Sequence, residues 1–292
     1  MMRYTTLLCA TAIAAISAFS ASAQAPVSPT KPMSNPPRTT GGRPDLQGTW
    51  NNTSVTRLER PENVSKLVLT EEEAARYEQG SNWVVNARTQ NAEKVDTNAA
   101  PPKGKASNFN LLGYNSFWLD AGNHLARVKG EVRTSWITEP ASGKVPAKPN
   151  TNVPFKGFGT FDTYETRPLS ERCILFGRQA GPIMQNAIYN NNFQFVQTPD
   201  TVMILVEMVH EPRIIPIFAS SQDVKYRPSV IKPWFGDSVG WYEGDTLVVE
   251  TKNVNPNQLQ AMISPTGKLT ERFSRWSEDQ ILYEFQVDDP AF

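Results

Sequence analysis

The chain has 292 residues and a balanced charge, with 29 lysines and arginines against 29 aspartates and glutamates. It contains no run of basic residues, which argues against nucleic acid and anionic membrane surfaces as partners. Its length is sufficient for one large hydrophobic core or two small ones.

Residues 1–23 have the pattern of a secretory signal peptide. Arg3 supplies a short positive region, residues 7–19 form an apolar run too short to span a bilayer, and Ala21-Ser22-Ala23 is a cleavage site. We therefore predict cleavage after Ala23, a periplasmic or secreted protein, and no membrane insertion. Cys173 then remains as the one cysteine, so no internal disulfide is expected.

Residues 24–44 are rich in proline, with serine, threonine and glycine between, and are predicted to be a disordered lead-in. A single domain over residues 45–292 is predicted to follow. At its start, Gly48 precedes Trp50 by two residues at the entry to a strand, which resembles the first strand of lipocalin-type barrels.

The clearest helix signature lies at Thr70. Thr70 as N-cap and Glu73 three residues later form a capping box, which predicts a helix to about Gln79 that Gly80 ends. A second helical piece is predicted over residues 83–89.

The remainder of the chain is dominated by strand patterns. Short runs of aromatic and β-branched residues predict strands at 114–119 and 133–138, and residues 169–176 fit either a short helix or a strand. Residues 190–217 predict two strands joined by a tight turn and then a third strand. Two further hairpins are predicted over residues 238–252 and 269–287.

These elements predict a mainly β fold with one or two short N-terminal helices. About nine or ten short strands joined mainly by hairpins form an antiparallel meander. Closure of such a meander removes its exposed edges, so we predict an antiparallel meander closed into a lipocalin-like barrel.

Several motifs together resemble those of a family of secreted, largely uncharacterised bacterial proteins. The motifs are Glu207-Met208-Val209-His210, Arg213-Ile214-Ile215-Pro216, Gly236-Asp237-Ser238 and Glu243-Gly244-Asp245-Thr246-Leu247-Val248-Val249-Glu250-Thr251. The resemblance implies a lipocalin-like β-barrel, export, and a tie to bacteria that break down plant-derived aromatic compounds. The chain departs from the family at residues 220–223, Ser-Ser-Gln-Asp, where relatives tend to have a histidine.

Glu207 interrupts an apolar strand predicted over residues 202–210. Both faces of this strand are apolar, so its carboxylate needs a partner or a proton. Two interpretations stay open, a buried ion pair with Arg213 or Arg133, and a pocket acid or base with a raised pKa.

His210 is one of two histidines in the chain. Strict alternation places it on the opposite face of the strand from Glu207, unless the strand bulges. The other, His124, lies beside a turn and is predicted to be exposed. Cys173 is predicted to be a buried, inert thiol, because no base or oxyanion site can be identified for it.

A barrel of this size can keep an interior large enough for one small ligand. We predict no metal and no cofactor, since the histidines and the cysteine lie far apart in the chain. The predicted catalytic residues are Glu207, His210, Arg213 and Tyr114. The predicted substrate-binding residues are Asn115, Arg133, Asn191, Gln197 and Trp241.

The leading functional hypothesis is an exported barrel that binds and transforms a small apolar, aromatic molecule. Its chemistry would be cofactor-independent acid–base catalysis of the lyase or isomerase type, with Glu207 as acid or base and His210 as its partner. Arg213 or Arg133 would stabilise developing negative charge, and Tyr114 would be a phenolic donor. The alternatives are a non-catalytic carrier or scavenger of small hydrophobic ligands, and a structural envelope protein.

Overall fold

The computed structural model describes residues 31–81, 120–146, 162–175, 181–258 and 262–291. The described chain is mainly β, with a single α-helix, α1 (Glu71–Gly80). Its strands are β1 (Gly48–Asn51), β2 (Val68–Leu69), β3 (Arg127–Val128), β4 (Glu131–Arg133), β5 (Asn192–Gln197), β6 (Thr201–Val206), β7 (Pro212–Pro216), β8 (Asp237–Glu243), β9 (Thr246–Lys252), β10 (Lys268–Arg275) and β11 (Ile281–Asp288).

The strands form three sheets, with the orders β1-β5-β6-β7, β11-β10-β9-β8 and β2-β4-β3. Neighbouring strands within each sheet are antiparallel, as predicted. An isolated parallel bridge between Ile217 and Gly240 links the end of β7 to β8. Among the described strands, no ladder joins the free edges β1 and β11, so the predicted closure into a barrel is not found there.

The three hairpin regions confirm the predicted pattern. Residues 190–217 form β5, β6 and β7, and the two later hairpins are β8–β9 and β10–β11. The turn between β8 and β9 contains Gly244, whose φ of 59° suits a residue without a side chain. Local alternation and turn residues were therefore sufficient to locate these strands.

Three predicted elements differ from the structure. The strand predicted at 133–138 is the shorter and earlier β4, and residues 169–173 form turns rather than a helix or strand. The strand predicted at 202–210 ends at Val206, because Glu207 takes helical backbone angles and Met208–His210 form a 3-10 turn. The alternation argument that separated Glu207 from His210 was therefore wrong.

The described part of the predicted lead-in lies against the domain. The amide of Met33 donates to the carbonyl of Trp276 at 3.0 Å, and Arg38 pairs with Asp245 at 3.0 Å. Pro36 and Pro44 are buried. The predicted signal peptide, the predicted helical piece at 83–89 and the predicted strand at 114–119 lie outside the described residues.

The main core cluster takes side chains from both four-stranded sheets. Its largest members include Phe193, Ile204, Ile215, Leu247 and Phe273, each no more than 2% exposed. A smaller cluster packs beneath α1 through Ala74, Leu125 and Val132. In the described part of the chain, no helix is long and apolar enough to cross a bilayer.

The predicted capping box on α1 is present. The amide of Glu73 donates to the Thr70 hydroxyl at 3.2 Å, and the amide of Thr70 donates to the Glu73 carboxylate at 3.0 Å. The helix ends at Gly80 as predicted, although the following Ser81 has extended angles rather than a left-handed cap.

Thr70→Ala is expected to lower the free energy of unfolding by about 1 kcal/mol, because the first turn loses a side-chain acceptor. Urea denaturation followed by circular dichroism measures this change. Glu72→Ala in the same turn is the matched control, since no contact of its side chain is part of the capping box. Equal stability of the Thr70 variant and the control would show that the capping box does not stabilise the helix.

Candidate functional site

The main cleft of the described structure has a volume of about 650 Å³. It lies between the free edges of the two large sheets, with Trp50 and Asn51 of β1 on one side and residues 281–285 of β11 on the other. The segment around β3 and β4 and residues 184–185 complete its walls. A neighbouring cleft of about 580 Å³ shares Trp136 and Phe285 with it.

Much of the cleft wall is aromatic. Strand alternation turns Phe193 and Phe195 of β5 to one face of their sheet, and both are 2% exposed. Tyr283 and Phe285 of β11 stack with a centroid distance of 5.8 Å. The aromatic residues that line the cleft are Trp50, Trp136, Phe193, Phe195, Trp276, Tyr283 and Phe285.

Hydrogen bonds and a cation fix two of the three tryptophans that line the cleft. The indole of Trp50 donates to the carbonyl of Leu46 at 2.9 Å, and the Arg275 guanidinium lies 4.6 Å from its ring centroid. The indole of Trp136 donates to Asn186 at 3.0 Å. Both rings are therefore held in place as parts of a preformed apolar surface.

Three cations line the cleft, and each contacts a carboxylate. Arg127 contacts the Glu71 carboxylate with two nitrogens, at 2.6 and 3.2 Å, and Lys129 contacts Glu284 at 2.7 Å. Arg133 contacts Glu131 at 2.6 Å, and the side chains of Glu71, Glu284 and Glu131 are 68%, 49% and 50% exposed. The Nε of Arg133 is buried and has no partner.

A buried ion pair connects the two large sheets behind the cleft. Arg213 of β7 contacts both carboxylate oxygens of Glu271 of β10, at 2.5 and 3.1 Å, and the two side chains are 1% and 0% exposed. Arg213 also donates to the carbonyl of Pro182 at 2.8 Å, and to the hydroxyls of Ser238 and Thr251. Burial lowers the pKa of Arg213, but the adjacent Glu271 carboxylate raises it by a larger amount. The pKa of Arg213 therefore lies above its ordinary value.

Tyr283 links this buried pair to the cleft. Its hydroxyl donates to Glu271 at 2.9 Å and accepts from the amide of Met184 at 3.2 Å, while its ring lines the cleft. Burial and the charge of Glu271 raise the pKa of the Tyr283 phenol well above its ordinary value. The hydroxyl is therefore a neutral, fully engaged group rather than a base.

Glu207 has neither of the predicted ionic partners. Its carboxylate is half-buried and accepts from the amide and the side-chain nitrogen of Asn192, at 3.1 and 2.9 Å. The predicted ion pair with Arg213 or Arg133 was wrong, because those arginines pair with Glu271 and Glu131.

The structure does not assemble the predicted catalytic cluster. His210 is exposed and has a φ of 57°, at the end of the 3-10 turn, whereas Arg213 is buried with Glu271. Neither residue, nor Glu207, lines either described cleft. Tyr114, the fourth predicted catalytic residue, lies outside the described residues.

Among the predicted binding residues that are described, Arg133 lines the main cleft. The side-chain nitrogen of Asn191 donates to the carbonyls of Asp120 and Ala187, and its side-chain oxygen accepts from the amide of Ala187. The indole of Trp241 donates to Glu243 at 3.0 Å. Asn115 lies outside the described residues.

Gln197 is another predicted binding residue that does not line the cleft. Its side-chain nitrogen donates to the carbonyl of Pro44 at 3.1 Å and to the hydroxyl of Tyr242 at 2.9 Å. Its side-chain oxygen accepts from the amide of Leu46 at 2.6 Å. Gln197 therefore fixes the segment that leads into β1.

Two further sequence predictions need correction. His124 is half-buried rather than exposed, since Nδ1 lies 3.0 Å from the carboxylate of Glu78. Cys173 is exposed rather than buried, and its φ of 54° places it in a turn.

Sequence reasoning missed Glu271, although a signal for it was present. In β10, Leu269, Glu271 and Phe273 share one face and are all 0% exposed. The same alternation rule that drew attention to Glu207 therefore identifies Glu271 as a buried carboxylate. The cleft residues Asn52 and Gln185 carried no comparable pattern, because they lie outside strands.

The described residues contain no group of three or more histidines, cysteines or acidic residues arranged to hold a metal ion. No protein-family model, curated protein or solved structure matches this chain.

Proposed function

We propose that this protein is an exported binding protein that holds one small, ring-containing apolar molecule in the main cleft. The observation that carries the proposal is the cleft itself, with its volume of about 650 Å³ and its aromatic walls. Sites for small molecules typically have volumes of about 300–1,000 Å³ and mainly apolar, aromatic linings. Export rests on the signal-peptide pattern of residues 1–23.

A lipocalin-like arrangement of the sheets is part of the proposal. The bridge between Ile217 and Gly240 connects the two four-stranded sheets on one side, and the cleft separates β1 from β11 on the other. We infer that the sheets act as two halves of a barrel with an open seam, and that the ligand occupies this seam.

The proposal assigns binding and no reaction. Glu207, the predicted acid or base, is hydrogen-bonded to Asn192, and Arg213, a predicted stabiliser of negative charge, is paired with Glu271. Neither residue lines the cleft, and neither does His210, the predicted partner of Glu207. Tyr283 lines the cleft, but its hydroxyl is directed to Glu271. These contacts favour the carrier hypothesis over the lyase or isomerase hypothesis.

Titration with 2-naphthylmethanol is expected to change the tryptophan fluorescence of the purified protein, because Trp50, Trp136 and Trp276 all line the cleft. Trp136→Ala is expected to raise the Kd about tenfold, since one aromatic contact and its buried area are lost. Trp234→Ala is the matched control, because Trp234 lines neither described cleft. Circular dichroism verifies that both variants are folded.

Absence of saturable binding across a panel of one- and two-ring aromatic alcohols and carboxylic acids would overturn the proposal. Equal loss of affinity in the Trp136 and Trp234 variants would place the ligand elsewhere in the protein.

A further inference from the structure

We propose that the ligand carries a carboxylate group, and that Arg133 and Gln185 bind this group on the polar wall of the cleft. This inference rests on the proposed function and specifies the class of molecule that the same site accepts.

The first observation is a concentration of unpaired polar atoms at this wall. In the described part of the chain, five buried side-chain nitrogen or oxygen atoms have no hydrogen-bond partner. Three belong to residues that line the cleft, and two of them are donors, the Nε of Arg133 and the Nε2 of Gln185, while the Oδ1 of Asn52 is an acceptor. Because buried polar groups are nearly always hydrogen-bonded, the two donors indicate an acceptor supplied from outside the chain.

Hydrogen bonds tie the backbone beside each of these residues to the segment 52–56. The side-chain nitrogen of Asn52 donates to the carbonyl of Met184 at 3.2 Å, next to Gln185. The hydroxyl of Thr56 donates to the backbone carbonyl of Arg133 at 2.8 Å. All three residues line the cleft from this region of the fold.

Arg133 is the cation of the cleft that has a buried guanidinium nitrogen, its Nε, without a partner. The exposure of the acidic partners does not separate the three cations, since the side chains of Glu71, Glu284 and Glu131 are 68%, 49% and 50% exposed. A guanidinium with a free N–H matches the geometry of a carboxylate, and Gln185 supplies a second donor.

Burial of Arg133 and Gln185 would strengthen their hydrogen bonds to a bound carboxylate. Gln185 is 4% exposed, and Arg133 has a side chain that is 16% exposed. The unpaired atoms themselves are covered from water, so a bound carboxylate requires both side chains to change rotamer. An anion bound there would be shielded from solvent, where a charge-assisted hydrogen bond is stronger than in water.

A matched series of ligands tests the inference by isothermal titration calorimetry of the mature protein at neutral pH. The series is 2-naphthoate, 2-naphthylmethanol and 2-naphthylmethylamine, which share one ring system and differ in charge. We expect 2-naphthoate to bind at least about tenfold more tightly than the alcohol, and the amine to bind most weakly. Arg133→Gln is expected to remove the preference for 2-naphthoate, and Arg133→Lys to restore part of it.

Arg272→Gln is the control variant, because Arg272 pairs with Glu243 and does not line the cleft. Gln185→Leu provides a second test of the same wall if Arg133→Gln fails to fold, and it too should reduce the preference for 2-naphthoate. If the alcohol binds and 2-naphthoate binds no more tightly, the inference fails while the proposed function stands. If none of the three molecules binds, the proposed function fails together with the inference.

Discussion

Glu271→Gln is expected to lower the free energy of unfolding by about 3–5 kcal/mol, the range for removal of one member of a buried ion pair. Arg213 and Glu271 are 1% and 0% exposed, so neither charge is solvated by water. The substitution keeps the size of the side chain but removes the charge that compensates the Arg213 guanidinium. An uncompensated cation would then remain between the two sheets.

Urea denaturation of the unchanged protein and of the Glu271→Gln variant measures this difference in the free energy of unfolding. Arg272→Ala is the matched control, because Arg272 is the next residue of β10 but its pair with Glu243 is exposed. Exposed pairs contribute about 0–1 kcal/mol, so the control should change little. The double variant Arg213→Met, Glu271→Leu should recover much of the loss, since it removes both charges. A loss below about 1 kcal/mol for Glu271→Gln would show that the pair is not buried in solution.

Phe273→Ala is expected to cost about 3–5 kcal/mol of stability and to weaken ligand binding as well. Phe273 is 0% exposed, its ring lies 5.5 Å from that of Phe195 in an edge-to-face contact, and it stacks on Tyr283 at 5.1 Å. Both neighbours line the cleft. Truncation of Phe273 therefore leaves a cavity directly behind the aromatic wall.

Two comparisons separate the stability effect from the binding effect. Val230→Ala, at a residue that is 84% exposed, should change stability by no more than about 0.5 kcal/mol. Phe273→Leu should be less destabilising than alanine, because less volume is removed. Fluorescence titration with 2-naphthylmethanol under folding conditions then measures the effect on the cleft. If a folded Phe273→Ala protein binds 2-naphthylmethanol with unchanged affinity, the Phe273 ring does not hold the aromatic wall of the cleft in place.

The buried pair and the aromatic wall are physically one unit. Glu271 accepts from the hydroxyl of Tyr283, and Tyr283 stacks on Phe273. A change in the ion pair therefore reaches the cleft through a single side chain. We expect the position of the Tyr283 ring, and with it the affinity for an aromatic ligand, to depend on an intact pair.

Two kinds of feature that depend on neighbours in the chain, the helix cap and the hairpins, were correctly predicted from the sequence. The capping box at Thr70 and Glu73 involves residues three apart, and the hairpin from β8 to β9 is specified by alternation and by a turn with Gly244. These elements form from local hydrogen bonds and from a side-chain period of two, so a short stretch of sequence contains the required information. The antiparallel, mainly β architecture followed from the same signals.

Partners that are distant in the chain were decided only by the tertiary structure. Alternation showed that a carboxylate in an apolar strand needs a partner, but Arg213 pairs with Glu271, 58 residues away, and Glu207 bonds to Asn192 across the β5–β6 hairpin. The cleft likewise combines β1, the β3–β4 region and β11, whose contacts depend on how the sheets pack. The sequence by itself thus determined the local hairpins and the helix cap. Packing between the sheets decided which charges meet and where a ligand can bind, because it depends on contacts that no local pattern specifies.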